Sequence, residues 1–508
     1  MAARAHGVSE KERNQLSQDG SRGRREPDLR VSMFDQPRFA REAWLPIAAG
    51  LLWLWCAESF GPVGFLFSLL PGCLLLASGV AGLLWPGDIR IPQFGALGGL
   101  IGIPLALPAF VVAGPEIGAV LVLLSAASFL AAGATSVRQE PHVDDVPEPE
   151  PSLRLAAAVA VDEALLATIH VTNPVPGPGA RPRILREVME ARELFEQRGW
   201  LEKPERYHAA PPSLIGPEIR PAESRGIAFE HLSFESGYEP YAEEPGRERW
   251  LSYDANQTAH AWVMRHKDPS RPWLVCIHGY QMGWPLIDFG AFQPGWLHER
   301  LGLNLLLPVL PLHGLRKVGR RSGDGFLSGD TLDSVHAEAQ AMWDVRRLLS
   351  WVRAQGTTQI GVYGLSLGGY NTALLASLDD GLACAIPGIP AVDFTRLFWR
   401  HGPPLQLRYL EKLGIVQDEV GEVMRAVSPL ALSPKLPRDR RTLFAAVSDR
   451  LVPADQVRDL WVHWERPRIL WYQGSHLSFR FAPGVQALIA SALREAGLAR
   501  PDAPSGQR

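Results

Sequence analysis

The sequence lacks the residue patterns that hold metal ions, nucleotides or disulfides. Its four cysteines are scattered over 508 residues and include no CxxC pair, which indicates neither a zinc site nor a disulfide framework. No GxxxxGKS or GxxxxGKT stretch occurs, and no GxGxxG follows a strand-like run, so a nucleotide site is not indicated. We therefore expect neither a metal nor a cofactor.

The chain also lacks an excess of charge of one sign. Its formal net charge is -3, with 51 basic and 54 acidic residues, and we therefore do not expect a nucleic-acid partner. Hydrophobic residues make up 46% of the chain, which is enough for one or two domains with substantial cores.

Charged residues are scarce in one long part of the chain, residues 44–137, which contains runs such as GALGGLIGIPLALPAFVVAG and IGAVLVLLSAASFLAAGATSV. A helix that crosses a membrane needs about 20 mostly apolar residues. The apolar runs predict about four spans, at about 44–57, 62–85, 94–113 and 117–136. Because the first is short, three spans and an interfacial helix are an alternative. Buried helices of a soluble domain are a second alternative, although such helices usually carry more charge.

Basic residues flank the apolar runs on alternate sides. A group of arginines precedes the first run, Arg90 lies in the second loop and Arg138 follows the last run, whereas the first and third loops have no Lys or Arg. This alternation predicts a multi-pass protein of the cell membrane, with the N-terminal tail and the large part after residue 137 in the cytoplasm. A three-span count would move the large part to the other side.

The segments around the apolar part have a different composition. Residues 1–43 are highly charged, and we predict disordered tails there and at residues 499–508. Residues 138–225 begin with the acidic, proline-rich RQEPHVDDVPEPEPS and continue with the helix-like LRLAAAVAVDEALLATI and ILREVMEARELFEQRGWLEK. We interpret this segment as a linker and a helical extension or cover of the following domain.

Residues 226–498 alternate between strand-like and helix-like runs. Short apolar runs such as WLVCIHG, QIGVYG and TLFAAVS are separated by amphipathic stretches. In the longest stretch, apolar residues recur at steps of three and four, as on one face of a helix: Leu332, Val335, Ala339, Met342, Val345 and Leu349. This alternation predicts an α/β fold with a mainly parallel sheet and helices on both faces.

One serine lies where a strand-like run ends and a helix-like run begins. QIGVY is followed by Gly364-Leu365-Ser366-Leu367-Gly368 and then by YNTALLASL. A serine on so sharp a turn is pushed clear of the sheet, and small flanking residues let neighbouring backbone approach. The sequence here resembles the α/β-hydrolase superfamily of serine esterases and lipases, whose nucleophile lies in GxSxG. A turn that serves packing alone is the alternative.

The resemblance covers residues 226–498 and includes the other members of a catalytic triad. In the superfamily the chain order is serine, acid and histidine, each after a strand. Here Asp449 follows TLFAAV and His476 follows RILWY. The resemblance implies that His476 takes the proton of Ser366 and that Asp449 orients the imidazole. Asp393, which follows another strand-like run, is the alternative acid.

Two further features belong to the resemblance. It implies an oxyanion hole made by the backbone N–H groups of Leu367 and of Tyr280, which lies in HGYQMG. It also implies a helical cap over the active site at about residues 394–440, where Phe394, Phe398, Trp399 and Tyr409 favour a hydrophobic or acyl substrate. A helix pair that packs on the sheet without touching the substrate is the alternative.

The resemblance implies hydrolysis of carboxylic esters through an acyl-enzyme on Ser366. The membrane region favours a lipid ester over another small-molecule ester and makes membrane lipid a partner. A peptidase or thioesterase would use the same triad, and a non-catalytic membrane scaffold or sensor could keep the fold. The oligomeric state is not specified by the sequence. We expect a chain that begins near residue 180 to keep a working site, because the predicted hydrolase domain lies downstream.

Overall fold

The computed structural model describes residues 40–499, apart from residues 174, 175, 178, 358, 403, 413 and 415. The predicted N-terminal tail therefore lies outside the described residues up to residue 39, and its last four residues belong to the first helix. The predicted C-terminal tail lies outside the described residues from residue 500 onward.

Helices occupy the apolar N-terminal part of the chain. They are α1 Ala40–Cys56, α2 Gly61–Leu84, α3 Ile91–Leu105, the single turn α4 Ala109–Val112, and α5 Pro115–Gln139. The four predicted apolar segments thus coincide with α1, α2, α3 together with α4, and α5. Many large apolar side chains point outward, among them Trp55, Phe67 and Val111.

Three helical stretches are long and apolar enough to cross a membrane, judged by length and composition alone. They are Glu42–Leu84, Pro115–Gln139 and Leu153–Thr172. The number of spans and their orientation remain predictions. The third stretch differs from the others, because it carries two buried carboxylates that contact the domain downstream.

The predicted helical extension contains α6 Leu153–Thr172 and α7 Arg181–Gln197. Helix α6 begins at Ser152, whose hydroxyl accepts a hydrogen bond from the N–H of Leu155 at 3.1 Å. It packs against α5 so closely that a Cβ on Gly133 would overlap the carbonyl oxygen of Ala156. The extension is therefore joined tightly to the N-terminal helices.

The remaining chain is built on a nine-stranded sheet. Its strands are β1 Glu218–Ser224, β2 Ile227–Glu235, β3 Thr258–Met264, β4 Trp273–Ile277, β5 Asn304–Val309, β6 Ile360–Leu365, β7 Cys384–Gly388, β8 Thr442–Ala446 and β9 Arg468–Tyr472. The spatial order is β1-β2-β3-β5-β4-β6-β7-β8-β9. Pairs up to β3 and β5 are antiparallel, and all later pairs are parallel.

This is an α/β-hydrolase fold, as predicted. The sequence analysis did not predict β1, which begins upstream of residue 226, is largely exposed and contains Pro221. Proline lacks the N–H that an inner strand needs and is tolerated at a sheet edge, where β1 pairs with β2.

Helices cover both faces of the sheet. They are α8 Arg247–Leu251, α9 Asp254–Gln257, α10 Pro285–Phe292, α11 Thr331–Ala354, α12 Leu367–Leu378, α13 Phe394–His401, α14 Pro404–Lys412, α15 Gln417–Met424, α16 Ala454–His463 and α17 Val485–Glu495. The six apolar residues predicted to share one face of α11 are all buried. Along β4, Val275 and Ile277 join the core on one face, and Leu274 and Cys276 join the core on the other.

The contact between α5 and α6 gives a prediction about stability. We expect Gly133→Ala to lower the free energy of unfolding by about 1–3 kcal/mol, because the added methyl group must push α6 away. The matched control is Gly421→Ala in α15, where a Cβ would meet nothing within 4 Å. Thermal unfolding of the detergent-solubilised chain would measure both variants. An unchanged midpoint for Gly133→Ala would contradict the close contact.

Candidate active site

Ser366 lies on a sharp elbow between β6 and α12. Its backbone has φ 56° and ψ -113°, a conformation that an L-residue keeps only when its surroundings fix it. The N–H of Ser366 donates to the carbonyl of Gly388 at 2.9 Å, and its own carbonyl accepts from the N–H of Tyr370 at 3.0 Å. The neighbouring strand β7 and the helix α12 therefore hold the elbow in place.

The glycines of GLSLG are required by close backbone approach. A Cβ on Gly364 would overlap the carbonyl oxygen of Gly368, and a Cβ on Gly368 would overlap the carbonyl oxygen of Ile277. Any larger residue would force the strand and the helix apart. Packing thus explains the glycines but not the strained backbone of the half-buried serine between them.

Asp449 and His476 meet at the ends of β8 and β9. The imidazole Nδ1 of His476 lies 2.6 Å from Oδ2 of Asp449. Both residues are buried, since His476 is 4% exposed and Asp449 is 3% exposed. The other carboxylate oxygen, Oδ1, accepts from the N–H groups of Leu451 at 3.0 Å and Val452 at 2.8 Å. A carboxylate fixed in this way orients the imidazole so that Nε2 is left to receive a proton.

The surroundings of His476 also affect its charge. Burial disfavours the imidazolium, but the charge of Asp449, the hydrogen bond that His476 donates to it and the charge of Asp162 together raise the pKa of His476 above its ordinary value. A base must be unprotonated to act, so activity that depends on His476 would fall as the pH decreases through that pKa.

The alternative acid, Asp393, has a different role in the structure. Its Oδ1 accepts from the N–H of Arg396 at 2.9 Å and caps the N-terminus of α13. Its own N–H donates to Oε1 of Gln456 at 3.0 Å. The structure therefore brings Asp449 to the imidazole, whereas Asp393 caps the N-terminus of α13.

The two predicted oxyanion donors lie beside the elbow. Leu367 is the first residue of α12, where a backbone N–H has no partner within its own helix. Tyr280 follows β4, and together with Ser366 and Leu367 it lines one cavity. A Cβ on Gly279 would lie 3.6 Å from Cβ of Ser366, so the HG turn adjoins the serine. Their role as donors stays a prediction.

His278 of the HG turn has a structural role. Its Nε2 accepts from the N–H of Leu310 at 3.0 Å, and its Nδ1 lies 2.8 Å from the carbonyl oxygen of Gly279. Burial lowers the pKa of His278 to about 4, so the imidazole is neutral at neutral pH. It fixes the turn and does not act as a second base.

The cavity at Ser366 has a volume of about 200 Å³. Its wall is mostly apolar and comes mainly from two helices. Leu166, Ile169 and His170 belong to α6, Asn173 directly follows that helix, and Phe394, Leu397, Phe398 and His401 belong to α13. Of the four aromatic residues noted in the predicted cap, two line this cavity. Trp399 lines a smaller neighbouring cavity, and the ring of Tyr409 lies under the guanidinium of Arg181 at 4.4 Å.

Helix α6 also contributes to the site, which was not predicted from the sequence. Asp162 of this helix is completely buried, and its carboxylate accepts from the N–H of His476 at 2.8 Å. Burial and the nearby charge of Asp449 raise the pKa of Asp162 to about 7. Two adjacent acidic residues in the middle of a mostly apolar helix were the available signal, since buried Asp and Glu are rare unless they have partners.

A second contact joins the extension to the loop after β8 that carries Asp449, which we call the acid loop. Arg450 directly follows Asp449, and its Nε donates to Oε1 of Glu163 at 2.6 Å. Its Nη1 also pairs with Glu140, which accepts from Nη2 of Arg400 at 2.8 Å as well. A chain that begins near residue 180 would lose part of the cavity wall and the partners of the loops that carry Asp449 and His476. We therefore no longer expect such a chain to keep a working site.

Comparison with known proteins identifies relatives of this chain. The uncharacterized proteins MT2702 and Rv2627c of Mycobacterium tuberculosis, from strains CDC 1551 / Oshkosh and ATCC 25618 / H37Rv, are each 43% identical to it over 367 residues. The matched segment is 72% of this chain and 87% of each relative. No family model matches the sequence.

Solved structures also resemble this chain. Acetyl xylan esterase from Paenibacillus sp. R4 has a TM-score of 0.41 at 15% identity, over 59% of this chain and 99% of that chain. Acetyl xylan esterase 1 from Thermoanaerobacterium sp. JW/SL YS485 has a TM-score of 0.40 at 14% identity, over 64% of this chain and 95% of that chain. Likeness at this level does not specify an activity.

Because His476 contacts Asp449, replacement of each acid in turn distinguishes the roles of Asp449 and Asp393. We expect Asp449→Asn to lower kcat for a p-nitrophenyl ester by about 10⁴, because an amide no longer holds the required imidazole tautomer. Asp393→Asn should change kcat little, since asparagine caps a helix about as well as aspartate does. The opposite ranking of the two variants would assign the acid to Asp393.

Proposed function

This chain belongs to the same protein family as its two Mycobacterium tuberculosis relatives, and we propose that it is a membrane-anchored serine hydrolase of carboxylic esters. One observation carries the proposal: Ser366 stands on a strained elbow at the wall of an apolar cavity, and the histidine after β9 is bonded to the aspartate after β8 at 2.6 Å. Because those relatives are uncharacterized, the support comes from the site itself.

The proposed reaction proceeds in two steps. Oγ of Ser366 attacks the ester carbonyl while Nε2 of His476 takes its proton, and the N–H groups of Leu367 and Tyr280 donate to the carbonyl oxygen as it becomes negative. The imidazolium then gives its proton to the leaving alkoxide, which departs as an alcohol. In the second step, water attacks the acyl-enzyme with His476 again acting as base, and the carboxylic acid is released.

The cavity wall supports a neutral, apolar acyl group. Among the described residues that line it, there is no Asp, Glu, Lys or Arg, and the polar groups are few. A charged substrate group would lose its water without gaining a partner there, which costs free energy. We propose an ester with a hydrophobic acyl chain, and the apolar N-terminal helices favour a lipid ester as its source.

The N-terminal helices support membrane anchoring. In the proposal, α1 to α5 lie in the cell membrane and the hydrolase domain lies in the cytoplasm, as the distribution of arginines predicts. Helix α6 is assigned to the hydrolase side, although it is long and apolar enough to span, because Asp162 and Glu163 bond to the hydrolase loops.

Replacement of the nucleophile tests the chemistry. We expect Ser366→Ala to abolish labelling by a fluorophosphonate probe and to lower kcat by about 10⁶, because the attacking hydroxyl is lost. Ser233→Ala on β2 is a matched control, since that serine lies far along the sheet and is bonded only weakly, at 3.5 Å, to Glu218. If Ser366→Ala keeps wild-type labelling, the serine mechanism is wrong.

Membrane attachment has its own test. We expect the full chain to stay with membranes in high salt and in alkaline carbonate, because burial of apolar helices does not depend on charge. Protease added to intact spheroplasts should leave the hydrolase domain uncut, and protease added after lysis should cut it. Digestion from outside would reverse the orientation and favour a three-span arrangement.

A further inference from the structure

Helix α6 belongs to the extension, yet its sides contact both the N-terminal helices and the hydrolase loops. On one side, Ala160 and Ala164 pack with Phe129 and Ala132 of α5. On another, Leu166 and Ile169 line the cavity at Ser366. Between these sides, Asp162 points at the loop that carries His476. An α/β sheet with a serine, an acid and a histidine does not by itself require such a helix.

The carboxylate of Asp162 accepts four hydrogen bonds from the loops around the proposed triad. Oδ2 accepts from the N–H groups of His476 at 2.8 Å and Arg450 at 3.2 Å. Oδ1 accepts from Oγ of Ser475 at 3.0 Å and from the N–H of Leu477 at 3.3 Å. Three of the four donors, Ser475, His476 and Leu477, are consecutive residues of the loop after β9, which we call the histidine loop. The fourth donor, Arg450, directly follows Asp449.

The hydroxyl of Ser475 has two acceptors on this helix for its single proton. Its Oγ lies 2.9 Å from the carbonyl oxygen of Ala158, one turn before Asp162, as well as 3.0 Å from Oδ1 of Asp162. The histidine loop is therefore bonded to α6 through two backbone N–H groups and one hydroxyl. A displacement of about 1 Å in a catalytic group can cost 10²-fold in rate.

We propose that Asp162 is a positioning residue that holds His476 in register with Ser366 and Asp449, so that α6 completes the active site. The inference rests on the proposed serine hydrolase function. Asp162 acts through the backbone of His476 and does not line the cavity. Its removal should therefore change kcat more than KM.

The charge of Asp162 provides a readout that separates positioning at this site from general support of the fold. Its charge is among the causes that raise the pKa of His476, together with Asp449. Burial raises the pKa of Asp162 itself to about 7, and because the two groups interact, the acidic limb belongs to the pair. Other titratable groups of this region are Glu140, Glu163, Arg400, Arg450 and Tyr472.

The central experiment is Asp162→Asn in the full-length chain. We expect kcat for a p-nitrophenyl ester to fall by about 10² with little change in KM. We also expect the acidic limb of kcat/KM to move to lower pH, because loss of a negative charge makes the imidazolium easier to deprotonate. Asp144→Asn is the matched control, since that side chain is 88% exposed in the linker; it should leave both measurements unchanged.

A second variant addresses the case in which Asp162→Asn does not fold. Ser475→Ala removes the hydroxyl that joins the histidine loop to α6 and leaves the charge of Asp162 in place. We expect kcat to fall by about 10-fold, as for loss of one hydrogen bond to a charged group, with the acidic limb unmoved. Thermal unfolding of each variant shows whether the chain is folded.

The outcomes distinguish this inference from the proposed function. If the wild-type chain does not react with a fluorophosphonate probe, the proposed function fails, and the inference fails with it. If the wild type reacts and folded Asp162→Asn keeps the wild-type kcat and acidic limb, Asp162 has no positioning role and the proposed function stands. A lower kcat with an unmoved limb would also overturn the inference, because loss of stability alone would produce it. If only Ser475→Ala folds, a wild-type kcat for that variant overturns the inference.

Discussion

Two adjacent carboxylates on α6, those of Asp162 and Glu163, are completely buried, and the loops around the site donate hydrogen bonds to them. A buried carboxylate persists only where donors or an opposite charge replace the lost water. Asp162 receives donors from the histidine loop, and Glu163 receives Nε of Arg450. Because Arg450 follows Asp449 in the chain, both loops of the proposed triad depend on this one helix.

The bond between Glu163 and Arg450 couples the stability of α6 to the stability of the acid loop. Burial raises the pKa of Glu163 to about 8 and lowers the pKa of Arg450 to about 10, so each charge is costly on its own. The 2.6 Å bond between them favours the charged form of each group, and burial opposes it. Removal of either partner would leave an unpaired buried charge, which is the expensive case. The extension and the acid loop are therefore stabilised as one unit.

The sequence was sufficient for features that have a fixed relation to strand ends. Ser366, Asp449 and His476 each follow a strong apolar strand, and the helix α11 has a regular apolar face; the structure has these strands and this helix where they were predicted. The edge strand β1 was missed because it is polar, contains Pro221 and buries little of its length. Its pairing is decided by β2 and not by its own composition.

Helix α6 was predicted as a helix but not as part of the site. Its apolar residues are distributed on all sides, a pattern that indicates burial without indicating against what. The contacts of Asp162 join segments more than 280 residues apart in the chain, and no local spacing encodes such a contact. Only the pairing rule for buried carboxylates could have marked Asp162 and Glu163 as exceptional.

The two-sided packing of α6 has a mechanical consequence. Nδ1 of His170, which lines the cavity, lies 3.0 Å from Oε1 of Gln93 in α3, and Gly133 of α5 leaves no room for a side chain against Ala156. Helices packed so closely shift together rather than independently. A movement of α5 relative to the sheet must therefore either carry the histidine loop with α6 or break the four bonds of Asp162. In the proposed membrane arrangement, a movement of the N-terminal helices would therefore reach His476, the proposed base, through these packed contacts.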